Sequence, residues 1–178
     1  MRGKVHDYIG MTIDYDHDKA VQLTMIDYIK DMLSELPPDM DGESATPAAN
    51  HLFDVSDSPV PLSEENGQLF HHNFAKLLFL CKRARPDIQT AVAFLCTRVK
   101  ASDEDDYKKL TRVMRYLRAT ADMPLTLEAD NLQIVEWWVD ASYAVHPDMK
   151  SHTGGTMSLG KGAIYSTSTF SRVGNCIT

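Results

Sequence analysis

The segment Trp137-Trp138-Val139-Asp140-Ala141-Ser142 is followed by Ser151-His152-Thr153-Gly154-Gly155-Thr156 and Ala163-Ile164-Tyr165-Ser166-Thr167-Ser168-Thr169. It reads as a strand that delivers one carboxylate at its end, with two short strands turning back beside it. Aromatic and β-branched residues ahead of Asp140 favour a pleated, buried segment. Downstream of it, glycines at 154, 155, 160 and 162 mark turns or close approaches. A strand-end acid before a β-meander can open a metal-dependent nuclease site, yet an Asp in that place is more often a turn cap. Asp140 takes its meaning from the chain that precedes it.

Immediately upstream, Pro124 marks a helix exit and Leu125-Thr126-Leu127-Glu128 reads as a strand. Before them the periodicity predicts three helices. The first spans about 68–82, with Phe70, Phe74, Leu77, Leu78 and Cys81 on one face. Pro86 suits the first position of the second, whose core face is Ile88, Ala91, Val92, Leu95, Cys96 and Val99. The third starts at Ser102, with Asp105 as capping partner and an acidic first turn suited to the helix dipole. Tyr107, Leu110, Val113, Met114 and Leu117 form its apolar stripe, and Lys108, Arg112, Arg115 and Arg118 fall on its flank.

At the other end, Tyr8-Ile9-Gly10-Met11-Thr12-Ile13-Asp14 reads as a strand and Val21-Gln22-Leu23-Thr24 as its return. Gly10 within the first strand marks either a bulge or a place where another backbone comes close. Thr24 and Asp27 look like a capping box opening a helix with Ile26, Ile29, Leu33 and Leu36 on one face, which Pro37-Pro38 ends. Residues 37–67 are rich in Pro, Asp, Ser, Asn and Gly and read as a long loop, a length that points to a linker or a functional segment. A hairpin, then helices, then strands indicate an α+β architecture. The expected divisions are 1–36, 37–67, 68–122, 123–169 and a divergent tail at 170–178.

At 178 residues the chain is long enough to bury a core. No apolar run approaches membrane-spanning length, and Met1-Arg2-Gly3-Lys4 is followed by no signal-peptide core. Three scattered cysteines make no disulfide framework, so a reducing, intracellular setting is expected. The net charge of −7 argues against a nucleic-acid partner as a sum, but most of the bases gather within 76–118.

An ordered set of short blocks resembles the copia-type reverse transcriptases of LTR retrotransposons. It comprises Tyr8-Ile9-Gly10-Met11, Gln22 through Tyr28-Ile29, Thr46-Pro47, Arg85-Pro86-Asp87-Ile88, Met114-Arg115-Tyr116-Leu117-Arg118-Ala119-Thr120, Asp140-Ala141, and Asp148, Lys150-Ser151 and Gly154. The resemblance runs from about residue 8 to 169. It implies a palm-end hairpin that grips a primer, thumb-like and connecting helices, and the opening of a ribonuclease H-like sheet. On that footing Gly10 and Met11 approach a primer backbone. Lys82, Arg83, Arg85, Lys108, Arg112 and Arg115 become phosphate contacts, although each taken singly reads equally well as part of a solvated helix face. The implied partners are a primer–template duplex or RNA–DNA hybrid and the rest of the retrotransposon polyprotein. No membrane partner is implied; the expected location is cytoplasmic, within a virus-like particle.

Asp140 would then be the first ribonuclease H carboxylate and a ligand for Mg²⁺ or Mn²⁺. That chemistry uses two cations about 4 Å apart, which calls for a cluster of hard oxygen ligands. The remaining carboxylates of the resemblance are missing here, and Phe170 to Thr178 departs from its pattern as a truncation or shifted frame would. The polymerase aspartate pair would lie ahead of Met1, and Ser142 stands where the family often has another Asp. The expectation is a catalytically incomplete piece of such an enzyme. A non-catalytic nucleic-acid-binding module and a relic without nucleic-acid affinity remain as alternatives.

Overall fold

Two antiparallel sheets flank a helical core in the computed structural model, which describes residues 3–17, 19–143 and 151–171. The first sheet begins with β1 (Val5–Tyr8) and β2 (Met11–His17), joined by a two-residue turn in which Ile9 (φ 50°) and Gly10 (φ 73°) both take positive φ. That is the backbone a tight hairpin requires. Gly10 therefore sits in a turn and not inside a strand as its sequence context indicated. β2 returns into β3 (Ala20–Thr24), with Ile13 opposite Leu23 and a register shift between Asp14 and His17.

β3 pairs with β4 (Leu125–Ala129), and β4 with the short β7 (Gly160–Lys161). The second sheet has the order β5 (Glu136–Ser142), β6 (Ser151–Ser158), β8 (Tyr165–Ser171). The expected division at residue 123 thus cuts through the five-stranded sheet, because Leu125–Ala129 hydrogen-bonds to the N-terminal hairpin and not to the Asp140 strand. β7 comes almost directly after β6, so one run of chain links the sheets. The meander after Asp140 forms as the pattern predicts. β8 extends into the tail as far as Ser171, with Phe170 opposite His152. Asp148, Lys150 and the tail from 172 lie outside the described residues.

Between the sheets in sequence stand α1 (Ile26–Ser34), α2 (Glu64–Cys81), α3 (Gln89–Arg98) and α4 (Glu104–Ala119). The Thr24–Asp27 capping box does not form: Thr24 stays in β3, and Met25 takes the N-cap position without a side-chain cap. The buried face of α1 centres on Ile29 and Met32, with Met25 beneath, while Leu33 and Leu36 of the expected stripe pack half-buried at its edge. α2 starts four residues ahead of Gln68, where the Ser63 hydroxyl accepts from the Asn66 amide at 3.2 Å and Glu64 and Glu65 meet the helix dipole. The α4 box is built one residue later than Ser102 and Asp105, from Asp103 and Asp106.

The core is shared by α2, α3 and α4. Phe70, Phe74, Leu77 and Leu80 pack with Ile88, Val92, Phe94 and Leu95, and with Leu110, Val113, Met114 and Leu117. Leu78 and Cys96, expected inside, are exposed; Leu80 and Phe94 take those places. Helical periodicity identifies the stripe, but its edges depend on where the neighbouring helices lie. Pro86 opens a 3-10 turn, Pro86–Ile88, that runs into α3.

The long segment after α1 is fastened along its length. Met40 and Leu52 enter the core, Pro61 bridges to Asp103, and the Glu104 amide donates to the Val60 carbonyl at 3.0 Å. Most of the segment is exposed, yet it is tied down by polar contacts, many of them to α4: the Ser44 amide donates to the Arg115 carbonyl at 3.3 Å and the Tyr107 hydroxyl to Asp39 at 3.0 Å. It is a strap, not a free linker.

Candidate nucleic-acid interface

Asp140 stands in β5 opposite Gly154, which stands opposite Ser168 in β8, so the three form one row across the sheet. Because β5 continues to Ser142, Asp140 lies within the strand and not at its end. The strand is exposed along its whole length, with Trp137 at 56%, Trp138 at 65% and Val139 at 69%. This corrects the expectation of a buried segment. β5 is the edge of its sheet, and no described helix packs over it. The residue pattern shows that the strand suits burial; what covers it is a tertiary matter.

The start of α3 approaches the sheet and leaves a groove of about 390 Å³ lined by Asp140, Trp138, Gly154, Ser168, Pro86 and Thr90 among others. Gln89 Nε2 donates to the Ser166 carbonyl at 3.1 Å, and Lys82 Nζ reaches the same oxygen at 3.5 Å. The small residues in the Asp140 row keep the floor of the groove low. Among the described residues, no three His, Cys, Asp or Glu side chains come together where they could hold a cation. A two-cation site needs several hard oxygen ligands, so the described residues around Asp140 do not fit Mg²⁺ or Mn²⁺.

His152, adjacent to Ser151 in sequence, pairs across the sheet with Ser168, Nε2 to Oγ at 2.7 Å. It lies between Phe53 and Phe170, with ring centroids at 5.1 and 4.9 Å, and burial pushes its pKa below the ordinary histidine value. The neutral imidazole is part of the packing that holds the strap's Phe53 on β6 and β8. Sequence reading missed this link, since Phe53 lies in the segment read as loop.

The six basic residues expected to contact phosphates fare differently. Lys82 is exposed, with its Nζ beside the Ser166 carbonyl. Arg83 lies 3.5 Å over the Phe79 ring and donates to the Phe79 carbonyl. Arg85 is 1% exposed; its guanidinium is held by Asp87 and by the carbonyl and hydroxyl of Thr120. An enclosed guanidinium with these partners is a clamp between the α3 entry and the α4 exit, and this corrects its reading as a phosphate contact. Arg112 donates to the Thr46 hydroxyl at 2.8 Å and Arg115 to the Asp39 carbonyl at 3.1 Å, both half-buried under the strap. Arg118 pairs with Asp41 at 2.6 Å. Lys108 alone of the three α4 candidates is exposed. The basic flank of α4 is therefore largely covered.

At the N-terminal hairpin, Met11 packs against the core, and a Cβ on Gly10 would meet the Met25 methyl at 3.7 Å. The exposed tip is formed by Tyr8 (59%) and Ile9 (52%), apolar residues beside the two that the sequence singled out. No described helix is long and apolar enough to cross a membrane.

No family model matches the chain, and no solved structure matches it significantly. The chain is similar to a Saccharomyces cerevisiae protein described as a "Putative transposon Ty5-1 protein", with 28% identity over 171 residues. The alignment covers 90% of this chain and 52% of that protein, so the chain spans about half the length of the curated relative it matches. This similarity supports a transposon-related origin.

Proposed function

We propose that the chain is part of a copia-type retrotransposon reverse transcriptase–ribonuclease H polyprotein, and that it holds a primer–template duplex or RNA–DNA hybrid. The observation that carries this reading is the similarity to a transposon protein over nine-tenths of the chain, which accords with the ordered copia-like blocks. The exposed hairpin tip, Lys82 and Arg83 at the end of α2, and the open groove beside Asp140 give a duplex surfaces to lie against. Phosphate contacts there supply affinity without sequence preference. In this reading the location is cytoplasmic and the partners include the rest of the polyprotein.

The 178 residues carry Asp140 without a set of neighbouring carboxylates among those described, so cleavage is not expected from them alone. Purified chain incubated with an RNA–DNA hybrid and Mg²⁺ or Mn²⁺ should leave the hybrid intact. Strong cleavage abolished by Asp140→Asn would refute the incompleteness. Hybrid binding is tested by titration at several salt concentrations, where log affinity should fall linearly with log salt.

A second reading, a relic without nucleic-acid affinity, is favoured by one observation: the strap occupies Arg112, Arg115 and Arg118. Absence of hybrid binding at low salt would select it.

A further inference from the structure

We propose that the pocket between the strap and α4 binds a single phosphate group. Lys108, Arg112 and Arg115 are spaced i, i+4 and i+7 along α4 and line one side of a space of about 270 Å³; Ser44, Glu43 and His51 of the strap line the other. Lys109, also at the pocket, is neutralised by Asp105 at 2.8 Å and donates to the Asp54 carbonyl.

The two arginines are different. Their hydrogen-bond partners are neutral oxygens, the Thr46 hydroxyl and the Asp39 carbonyl, and among the described residues no carboxylate pairs with either. Both also keep a buried Nε–H without an acceptor. The helix thus holds two half-buried guanidinium charges with no opposite charge against them, an arrangement that an anion in the pocket would compensate. Planar guanidinium forks match phosphate oxygens, and the Lys108 ammonium adds a third positive charge at the open side. Two carboxylates line the pocket, Asp105, which is paired with Lys109, and the exposed Glu43, whose repulsion the bound anion must overcome. The volume admits one phosphate group but not a length of duplex, which separates this site from the groove at Asp140. The hybrid reading is not needed for it.

The experiment titrates the full chain with inorganic phosphate, followed by calorimetry and phosphorus NMR at constant ionic strength set with chloride. Saturable one-site binding is expected, weakened at least threefold by Lys108→Gln and tightened at least twofold by Glu43→Gln. Neither variant removes a hydrogen bond that fastens the strap, so both should keep the wild-type circular dichroism spectrum. A parallel arm compares a 5′-phosphorylated trinucleotide with its unphosphorylated form. A fivefold or greater preference for the former over both the latter and inorganic phosphate assigns the site to nucleic-acid ends. Equal affinity for inorganic phosphate and the phosphorylated form assigns it to free phosphate. No saturable binding, or affinities unmoved by both substitutions, overturns the proposal. Hybrid binding that persists in that case leaves the duplex reading standing, so the two can fail separately.

Discussion

Arg85→Ala separates a structural clamp from a nucleic-acid contact. The guanidinium is 1% exposed and makes five hydrogen bonds of 2.7–3.2 Å, three to Asp87 and two to Thr120. Removing one partner of a buried ion pair costs about 3–5 kcal/mol, because the other is left uncompensated. The Asp87 side chain keeps 27% of its exposure, so water partly re-solvates it and the expected loss falls at the low end, about 3 kcal/mol. Arg85→Lys keeps the charge but not the fork, and should lose about 1–2 kcal/mol. Urea unfolding followed by far-ultraviolet circular dichroism is the assay, since Trp137 and Trp138 are already exposed and report poorly on the helical core. For any hybrid binding by the folded variant, the salt slope should stay at the wild-type value, whereas Lys82→Ala should reduce it by about one unit. A stability loss under about 1 kcal/mol, or a reduced salt slope in Arg85→Ala, would show that the side chain acts on a ligand and not on the fold.

Other perturbations test the remaining contacts. The pKa of His152 is depressed by burial from its ordinary value of 6.5, so below that pH the unfolded chain takes up a proton before the folded one does. Stability should fall as pH drops from 6.5 through the folded pKa, and His152→Gln should remove this component in denaturant titrations across that range. Gly162 has φ +79°, and a Cβ there would collide with the Thr126 carbonyl; Gly162→Ala should cost about 2–3 kcal/mol and lower the thermal midpoint. A wild-type midpoint would count against the β4–β7 pairing. Burial pushes the Cys81 thiol up to about 11 while Cys96 is exposed. With Cys176 replaced by serine, iodoacetamide at mild alkaline pH should therefore modify Cys96 first and Cys81 only after denaturant is added, as read by mass spectrometry. Equal rates for the two would contradict the packing of α2 on α3.

Local chemistry was legible in the residues themselves. The stripe Leu110, Val113, Met114 and Leu117, the proline that opens the entry to α3, the acidic first turn of α4 and the strand character on both sides of Asp140 follow from periodicity, fixed φ and dipole complementarity. These are short-range effects carried by neighbouring residues. Cap positions were harder, because a β-strand competes for Thr24 and a single residue separates Ser102 from Asp103. Tertiary packing decided the rest: that Leu125–Ala129 joins the hairpin sheet, that residues 41–62 lie as a strap on α4, that Arg85 is enclosed while Lys82 is open, and that the tryptophans of β5 face solvent. Each of these depends on which distant surface supplies hydrogen-bond partners or excludes water. An arginine in a string of letters has the same charge whether an Asp two residues away has already claimed it or a phosphate could.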